Sequence, residues 1–262
     1  MSRHLLRLLA ANLLPAPILT WVKTQYYVRS VENFWEEDVE PVKAIVKSGD
    51  YVVDMGANFG WYTNALSSMV GQAGRVYGVE PIPDTFRVFS GIVQKLGLKN
   101  VDLLNVAMST TDGMTVMRVP RHEYGGNNFY RAQIGSKSNE AASSNREYRV
   151  HMRCLDSLFL NVADKISFIK CDVEGHELSV VKGGAKFFEK CRPAWLMEVG
   201  GNPDDEGTPP HELFHIMRDY GYKVYFFDGK FLQERPIGHW SVNYLFLQPA
   251  HCRQLSHMMV KM

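Results

Sequence analysis

VVDMGANFG, Val52 to Gly60, is the stretch whose reading decides the fold of this chain. A short apolar run ends in an acid, two glycines bracket an asparagine, and a helical pattern opens at once at Trp61. That succession predicts a buried strand, a tight turn and a helix start, which is how α/β folds build a nucleotide pocket. Gly56 and Gly60 have no side chain, so backbone there can approach a ligand closely and take dihedrals closed to other residues. A dinucleotide turn wants glycines at the first, third and sixth places of its loop. Here they stand four apart, and Trp61 and Tyr62 follow where a pyrophosphate needs room. A nucleoside without a diphosphate fits the spacing better.

Outward from this turn the chain alternates. Phe34, Trp35, Val39, Val42 and Val46 predict a helix over 33–46, broken at Ser48-Gly49-Asp50 before the strand that carries Asp54. A helix over 61–70, a strand over 75–79 ending at Glu80-Pro81, a helix from Asp84 to about Leu96 stopped by Gly97, and a strand over 101–106 follow. Later come a strand over 166–171, a helix from His176 to Lys190, a strand over 194–199 and a helix from Pro209, capped by Thr208, to near Gly221. A hairpin-like edge pair over 222–227 and 242–247 closes the pattern. The alternation predicts an α/β, Rossmann-like, mostly parallel sheet with helices on both faces.

The middle departs from this rhythm. Residues 114–119 and 147–153 alternate as an inserted strand pair. Between them Arg121 to Arg146, polar and rich in Gly, Asn and Ser, reads as a flexible insertion: a lid, a binding loop or a disordered stretch. The expected organisation is an N-terminal amphipathic helical extension over 1–32, one domain over 33–250 and a peripheral tail over 251–262.

Composition narrows the class. With 262 residues, 45% apolar and 22% charged, the chain can bury a core of one domain. A net charge of +1 gives no general pull toward nucleic acid. Cys154, Cys171, Cys191 and Cys252 show neither metal-ligand spacing nor the density of a disulfide framework, which favours a reducing, cytoplasmic setting. Arg3, His4 and Arg7 precede a Leu-rich stretch that mimics a signal peptide, but Asn12, Pro15 and Pro17 interrupt it. Leu5, Leu6, Leu9 and Leu13 recur near helical spacing, so the segment is expected to pack on the domain, with membrane-surface contact as the alternative.

In an open parallel sheet, ligands bind outside the carboxyl ends of the strands. Asp54, Glu80, Asn105 and Asp172 all fall at or just past such ends. Glu80 comes about twenty residues after the glycine turn, the offset at which a carboxylate reaches a ribose diol. VVDMGANFG, RVYGVEP, LLNVAMS and FIKCDVEGHEL, in that order, resemble the FkbM-type methyltransferases from about Phe34 to Val199. The run from Asp172 to Glu177 is the most specific of these. The resemblance implies a class I fold with a seven-stranded sheet and S-adenosylmethionine as cofactor. Gly56, Ala57, Asn58 and Gly60 would line its methionine and ribose side, Glu80 would bind the ribose, and Asn105 to Ala107 would lie near the adenine. Leu155-Asp156 matches the family's lead into the next helix.

Methyl transfer to oxygen needs positioning and, for a weakly acidic hydroxyl, a base. Asp172 is placed either to face the methyl group or to hold the cofactor's amino group, and Glu174 and His176 follow it within one turn. His176 can titrate near neutrality, or can simply cap or face solvent. Glu177 suits the positive end of its helix. Asp54 more simply braces the glycine loop. Glu198 is placed to contact an acceptor hydroxyl, and Lys170 to face a substrate or pair with a nearby acid; Trp35, Trp61 and Tyr62 border the cofactor or belong to the core. Asp172, Glu174 and His176 are the residues through which a metal could act, but no metal-ligand pattern calls for one. The expected acceptor is a hydroxyl of a small molecule, sugar or glycolipid, chosen by residues 121–146 and 200–208; oligomeric state is not encoded legibly. The rival readings are a nucleic-acid or protein methyltransferase, a cofactor-binding module without turnover, and a nicotinamide dehydrogenase.

Overall fold

A computed structural model describes residues 15–119, 133–134 and 146–260. Most of the insertion expected over 121–146, and the Leu-rich start of the N-terminal extension, lie outside those residues. In chain order the elements are helices α1 (Ala16–Glu32) and α2 (Val39–Ile45), strand β1 (Tyr51–Met55), α3 (Trp61–Val70), β2 (Arg75–Val79), α4 (Pro83–Leu96), β3 (Val101–Leu104) and β4 (Ala107–Met108). Strands β5 (Gly113–Val119), β6 (Gln133–Ile134) and β7 (Arg146–Arg153) then lead to α5 (Leu155–Phe159), a 3₁₀ turn and β8 (Ile166–Cys171). Last come α6 (Glu177–Lys182), α7 (Ala185–Lys190), β9 (Ala194–Glu198), α8 (Pro209–Asp219), β10 (Lys223–Phe227), β11 (Leu232–Glu234), β12 (Asn243–Leu247) and α9 (Pro249–Gln254).

The main sheet runs β11-β10-β12-β9-β8-β1-β2-β3, with β9, β8, β1, β2 and β3 parallel and β12 antiparallel between β9 and β10. It has eight strands where seven were expected. The extra one, β11, is three residues long, too short for a period-2 pattern to announce it. The expected terminal pair does pair antiparallel, but β12 inserts beside β9 and β11 takes the edge. A second sheet, β4-β7-β5-β6, contains the expected inserted pair β5 and β7. The single strand expected over 101–106 divides at Asn105, and Ala107 and Met108 leave to pair with Met152 and Arg153.

Both faces of the main sheet are buried, so the strands read as continuous apolar runs whose odd and even positions serve different layers. Val53, Met55, Ile169, Cys171, Trp195, Met197, Tyr244 and Phe246 pack with Phe187, Phe188, Leu213 and Phe214 on one face. Val52, Phe168, Leu196, Leu245 and Leu247 pack with Val42, Ile45, Leu66 and Val70 on the other. Full burial of side chains of this size contributes about 1.5–3 kcal/mol each. Asp54 and Lys170 belong by parity to this second face, and they stand opposite each other in the β1–β8 register.

Two expected helices are broken. The segment predicted over 33–46 resolves into the end of α1, where the Asn33 side-chain amide donates to the Arg29 carbonyl at 2.7 Å, a turn, and α2. The helix predicted from His176 to Lys190 breaks at Gly183-Gly184. A Cβ on Gly183 would lie 2.4 Å from the Ser109 carbonyl oxygen, and the Asp156 carboxylate accepts from the Phe187 amide at 2.7 Å to start α7. α1 packs through Val28 and Val31 on Phe59, Val88 and Ile92. The tail over 251–260 is joined to the body: Leu255 is buried and Met259 bridges to Leu232. Among the described residues no helix is long and apolar enough to cross a membrane.

Candidate active site

The glycine turn is shaped by crowding. Gly56 has φ +80°, and a Cβ there would fall 1.7 Å from the backbone oxygen of Asp172, so only glycine lets β1 and β8 end side by side. The amides of Gly56 and Ala57 both donate to the Val79 carbonyl at 2.9 Å, which ties the turn to β2. Asn58, at φ +51°, is bent so that its amide donates to Glu80 Oε2 at 3.1 Å. The other carboxylate oxygen of Glu80 accepts from the Ile82 amide at 2.8 Å. Burial lifts Glu80 from the ordinary 4.5 to about 8 against the pull of these two donors. Asn58 Oδ1 is buried without a partner.

Below the turn, Asp54 is fully buried and accepts from Thr63 Oγ1 at 2.6 Å. Burial pushes its pKa up, and the Lys170 charge across the register opposes that shift. Burial alone would depress Lys170; the charges of Asp172 and Asp54 more than offset it and hold the ammonium above its ordinary value. Lys170 Nζ lies 2.9 Å from Asp172 Oδ2 and 4.9 Å from the centre of the Tyr62 ring. The Tyr62 hydroxyl donates to Glu36 Oε2 at 3.1 Å. One cation thus orders the floor of the site.

The segment after β8 is held in an unusual shape. Glu174 and Gly175 both have positive φ, +53° and +87°. Glu177 does more than suit its helix terminus: its buried carboxylate folds back and accepts from the amides of Val173 and Gly175, at 3.2 and 3.1 Å. This brace supports a conformation that costs on the order of 1–3 kcal/mol in a non-glycine residue. Glu174 is an exposed residue, yet partial desolvation, then the charges of Asp172 and Glu198, raise it to about 7. Burial followed by Asp172 also raises Glu198. His176 is pushed down by burial, which keeps its imidazole neutral at pH 7.

These groups open onto one cavity of about 780 Å³. Of the residues singled out in the sequence, Asp54, Gly56, Ala57, Asn58, Glu80, Ala107, Asp172, Glu174 and His176 line it, as do Trp35, Trp61, Tyr62, Lys170 and Glu198. Gly60 and Asn105 do not. Gly60 starts α3 beneath the Phe89 ring, and the Asn105 amide donates to the Glu80 and Pro81 carbonyls at 2.7 and 3.0 Å, fixing the bend between β3 and β4. None of residues 200–208 lines the cavity; Asp204 there is engaged by the buried Arg235 at 2.6 Å. Ser30, Glu36, Met117 and Asn243 also line the cavity and were not foreseen, since they come from α1, the turn after it, the second sheet and the inserted β12. The acidic run Glu36-Glu37-Asp38 was their only sequence signal.

Sheet order divides the cavity. Over β1, β2 and β4 lie Gly56, Glu80, Ile82 and Met108; over β8, β9 and β12 lie Asp172, Glu174, Glu198 and Asn243. The first half pairs apolar walls with a buried acid, and the second gathers carboxylates round Lys170. Among the described residues no group of three or more His, Cys, Asp or Glu side chains is arranged to hold a metal ion.

Residues 54–224 match the sequence model of the methyltransferase FkbM domain. No curated protein matches the sequence. Among solved structures the chain is similar to methyltransferase FkbM from Methylobacillus flagellatus KT, with 16% identity, 91% of this chain and 57% of that one covered, and a TM-score of 0.49. It is also similar to a SAM-dependent methyltransferase from Aquifex aeolicus, with 17% identity, 81% and 88% covered, and a TM-score of 0.40. A third is precorrin-6y C5,15-methyltransferase from Geobacter metallireducens GS-15, with 10% identity, 80% and 84% covered, and a TM-score of 0.43.

Proposed function

This chain belongs to the methyltransferase FkbM domain family, whose cofactor is S-adenosylmethionine, and from that premise we propose that it methylates a hydroxyl of a small polyhydroxylated acceptor, such as a sugar or a glycolipid headgroup. The observation that carries the reading is Glu174, a carboxylate raised to about 7 and held at a strained φ in the acceptor half of the cavity.

The residues fit the cofactor. Gly56 leaves its backbone bare at the junction of β1 and β8, Asn58 Oδ1 is a buried acceptor without a partner, and Glu80 sets a carboxylate at the end of β2. Glu80 would accept from a ribose diol, and Asn58, Gly56 and Ala57 would lie along the sugar and the amino-acid tail. Asp172, fixed by Lys170, would hold a cationic amino group. When bound, the cofactor supplies an electrophilic methyl group on a cationic sulfur.

In the acceptor half Glu174 takes the hydroxyl proton at a carboxylate oxygen as the oxygen gains its methyl group. A base with a pKa near the working pH is best matched to this transfer. Glu198 and Asn243 would orient neighbouring hydroxyls, and Trp35 offers an aromatic face. The carboxylates around Lys170 repel a polyanion, which supports a small acceptor over nucleic acid. Four free cysteines support a reducing compartment.

The test uses Glu174→Gln. Binding of S-adenosylhomocysteine, followed by calorimetry, is expected to stay within about threefold of wild type, while methyl transfer to a panel of sugars and phenols falls by roughly 10²–10⁴. Full turnover in that variant, or transfer confined to amine acceptors, would overturn the reading.

A further inference from the structure

We propose that α1 docks this protein on an anionic lipid surface. Helix α1 is apolar on two sides. Thr24, Val28 and Val31 turn inward, where Gly91 of α4 leaves room for Thr24. On the outward side Ile18, Trp21, Val22 and Tyr26 are 48%, 64%, 39% and 59% exposed. Their steps of three and four residues gather them into one stripe about 12 Å long on the helix. Ile18, Trp21 and Val22 stay exposed along it, and a helix apolar on both sides offers such a face to a partner.

Charge identifies that partner. The first 31 residues carry Arg3, Arg7, Lys23 and Arg29 and no Asp or Glu, although the chain as a whole is balanced at +1; Glu32, which ends α1, lies about a quarter-turn round the helix from Val22. Arg29 is exposed, and at seven residues beyond Val22 it falls in line with the stripe. Lys23 lies on the domain side, in the field of Asp84, and adds long-range charge without touching the surface. Leu5, Leu6, Leu9 and Leu13 continue the same mixture of apolar and basic residues upstream. Aliphatic residues beside Trp and Tyr, with an excess of arginine, are what a helix lying in the headgroup region carries. A second copy of the chain would cover the stripe only by bringing two positive faces together, which costs affinity.

Docking by this helix would place the cavity close to the lipid. Ser30 lines the cavity and stands four residues beyond Tyr26, about 6 Å further along the helix. A membrane-held acceptor then becomes the natural substrate, a step that rests on the methyl-transfer reading; the docking itself does not.

The full chain is sedimented with vesicles of phosphatidylcholine and of phosphatidylcholine mixed with phosphatidylglycerol. Binding is expected to the anionic vesicles, weakened by high salt, with a loss of roughly tenfold or more when Trp21→Glu and Val22→Glu are combined. S-adenosylhomocysteine should still raise the Tm of that variant, which separates lost docking from lost folding and leaves the methyl-transfer reading untouched. No binding to anionic vesicles, equal binding to neutral ones, or undiminished binding of the variant would overturn the proposal. So would a dimer in sedimentation velocity that the same substitutions dissociate.

Discussion

Glu174 and Glu80 are two carboxyls whose pKa values are raised by their surroundings, and each leaves a different trace against pH. Glu174 is raised to about 7, so kcat is expected to climb through that value as the base loses its proton and to level off above it. In Glu174→Gln the climb should vanish along with most of the rate; a pH–rate profile measured at saturating acceptor checks this. Glu80 is a matter of stability. Unfolded it loses its proton near 4.5, folded only near 8, so the folded protein binds the extra proton between those values. Its contribution is complete below 4.5 and is lost as pH rises through about 8, on the order of 5 kcal/mol across the window. The Tm of the ligand-free protein should therefore fall from pH 5 to pH 9, and fall less in Glu80→Gln. Thr63 tests the buried acid beneath them. Thr63→Val removes the partner of Asp54 Oδ2, whose Oδ1 already has none, and is expected to cost about 1–3 kcal/mol in chemical denaturation.

At the scale of elements, the turn from β1 to α3 was legible because its demands, though set in part by the distant backbone of Asp172, admit one residue type. Gly56 needs a positive φ and a bare Cα, and no other residue type supplies both. Gly56→Ala is expected to lose more than about 4 kcal/mol, or to fail to fold, because the clash is with backbone that has nowhere to go. Gly175→Ala is a useful contrast. It also has positive φ but open space around the added Cβ, so it should cost only about 1 kcal/mol by denaturant titration. Breaks within helices were less legible. The 33–46 and 176–190 segments keep a helical pattern of apolar residues through points where the chain turns. Their breaks at 33–38 and at Gly183-Gly184 answer to neighbours, Tyr62 for Glu36 and the Ser109 carbonyl for Gly183, that are distant in sequence.

For the molecule as a whole, the order of strands sets Glu80 and Glu198 on opposite sides of Asp172, so their effects on cofactor and acceptor are separable. Glu80→Ala, over β2, is expected to weaken S-adenosylhomocysteine by roughly 10- to 100-fold while leaving the acceptor KM little changed. Glu198→Gln, at the end of β9, should do the opposite, raising the acceptor KM with cofactor affinity held. Calorimetry together with initial-rate kinetics on both variants distinguishes these outcomes, and a common effect on both ligands would contradict the division.

The sequence by itself determined the parallel α/β core, the glycine turn and the acids at the strand ends. Continuous apolar runs, glycine turns and the strand–helix rhythm are short-range patterns, written within a few residues of where they act. Only the tertiary structure decided that β12 enters between β9 and β10, that β4 leaves the main sheet, and that Ser30, Glu36 and Asn243 reach the same cavity as Asp172. It also decided the roles of Glu177 and Asn105, one bracing the strained loop and the other the bend after β3. Those outcomes depend on which distant surfaces meet, and the free energy that selects them is summed over the whole core.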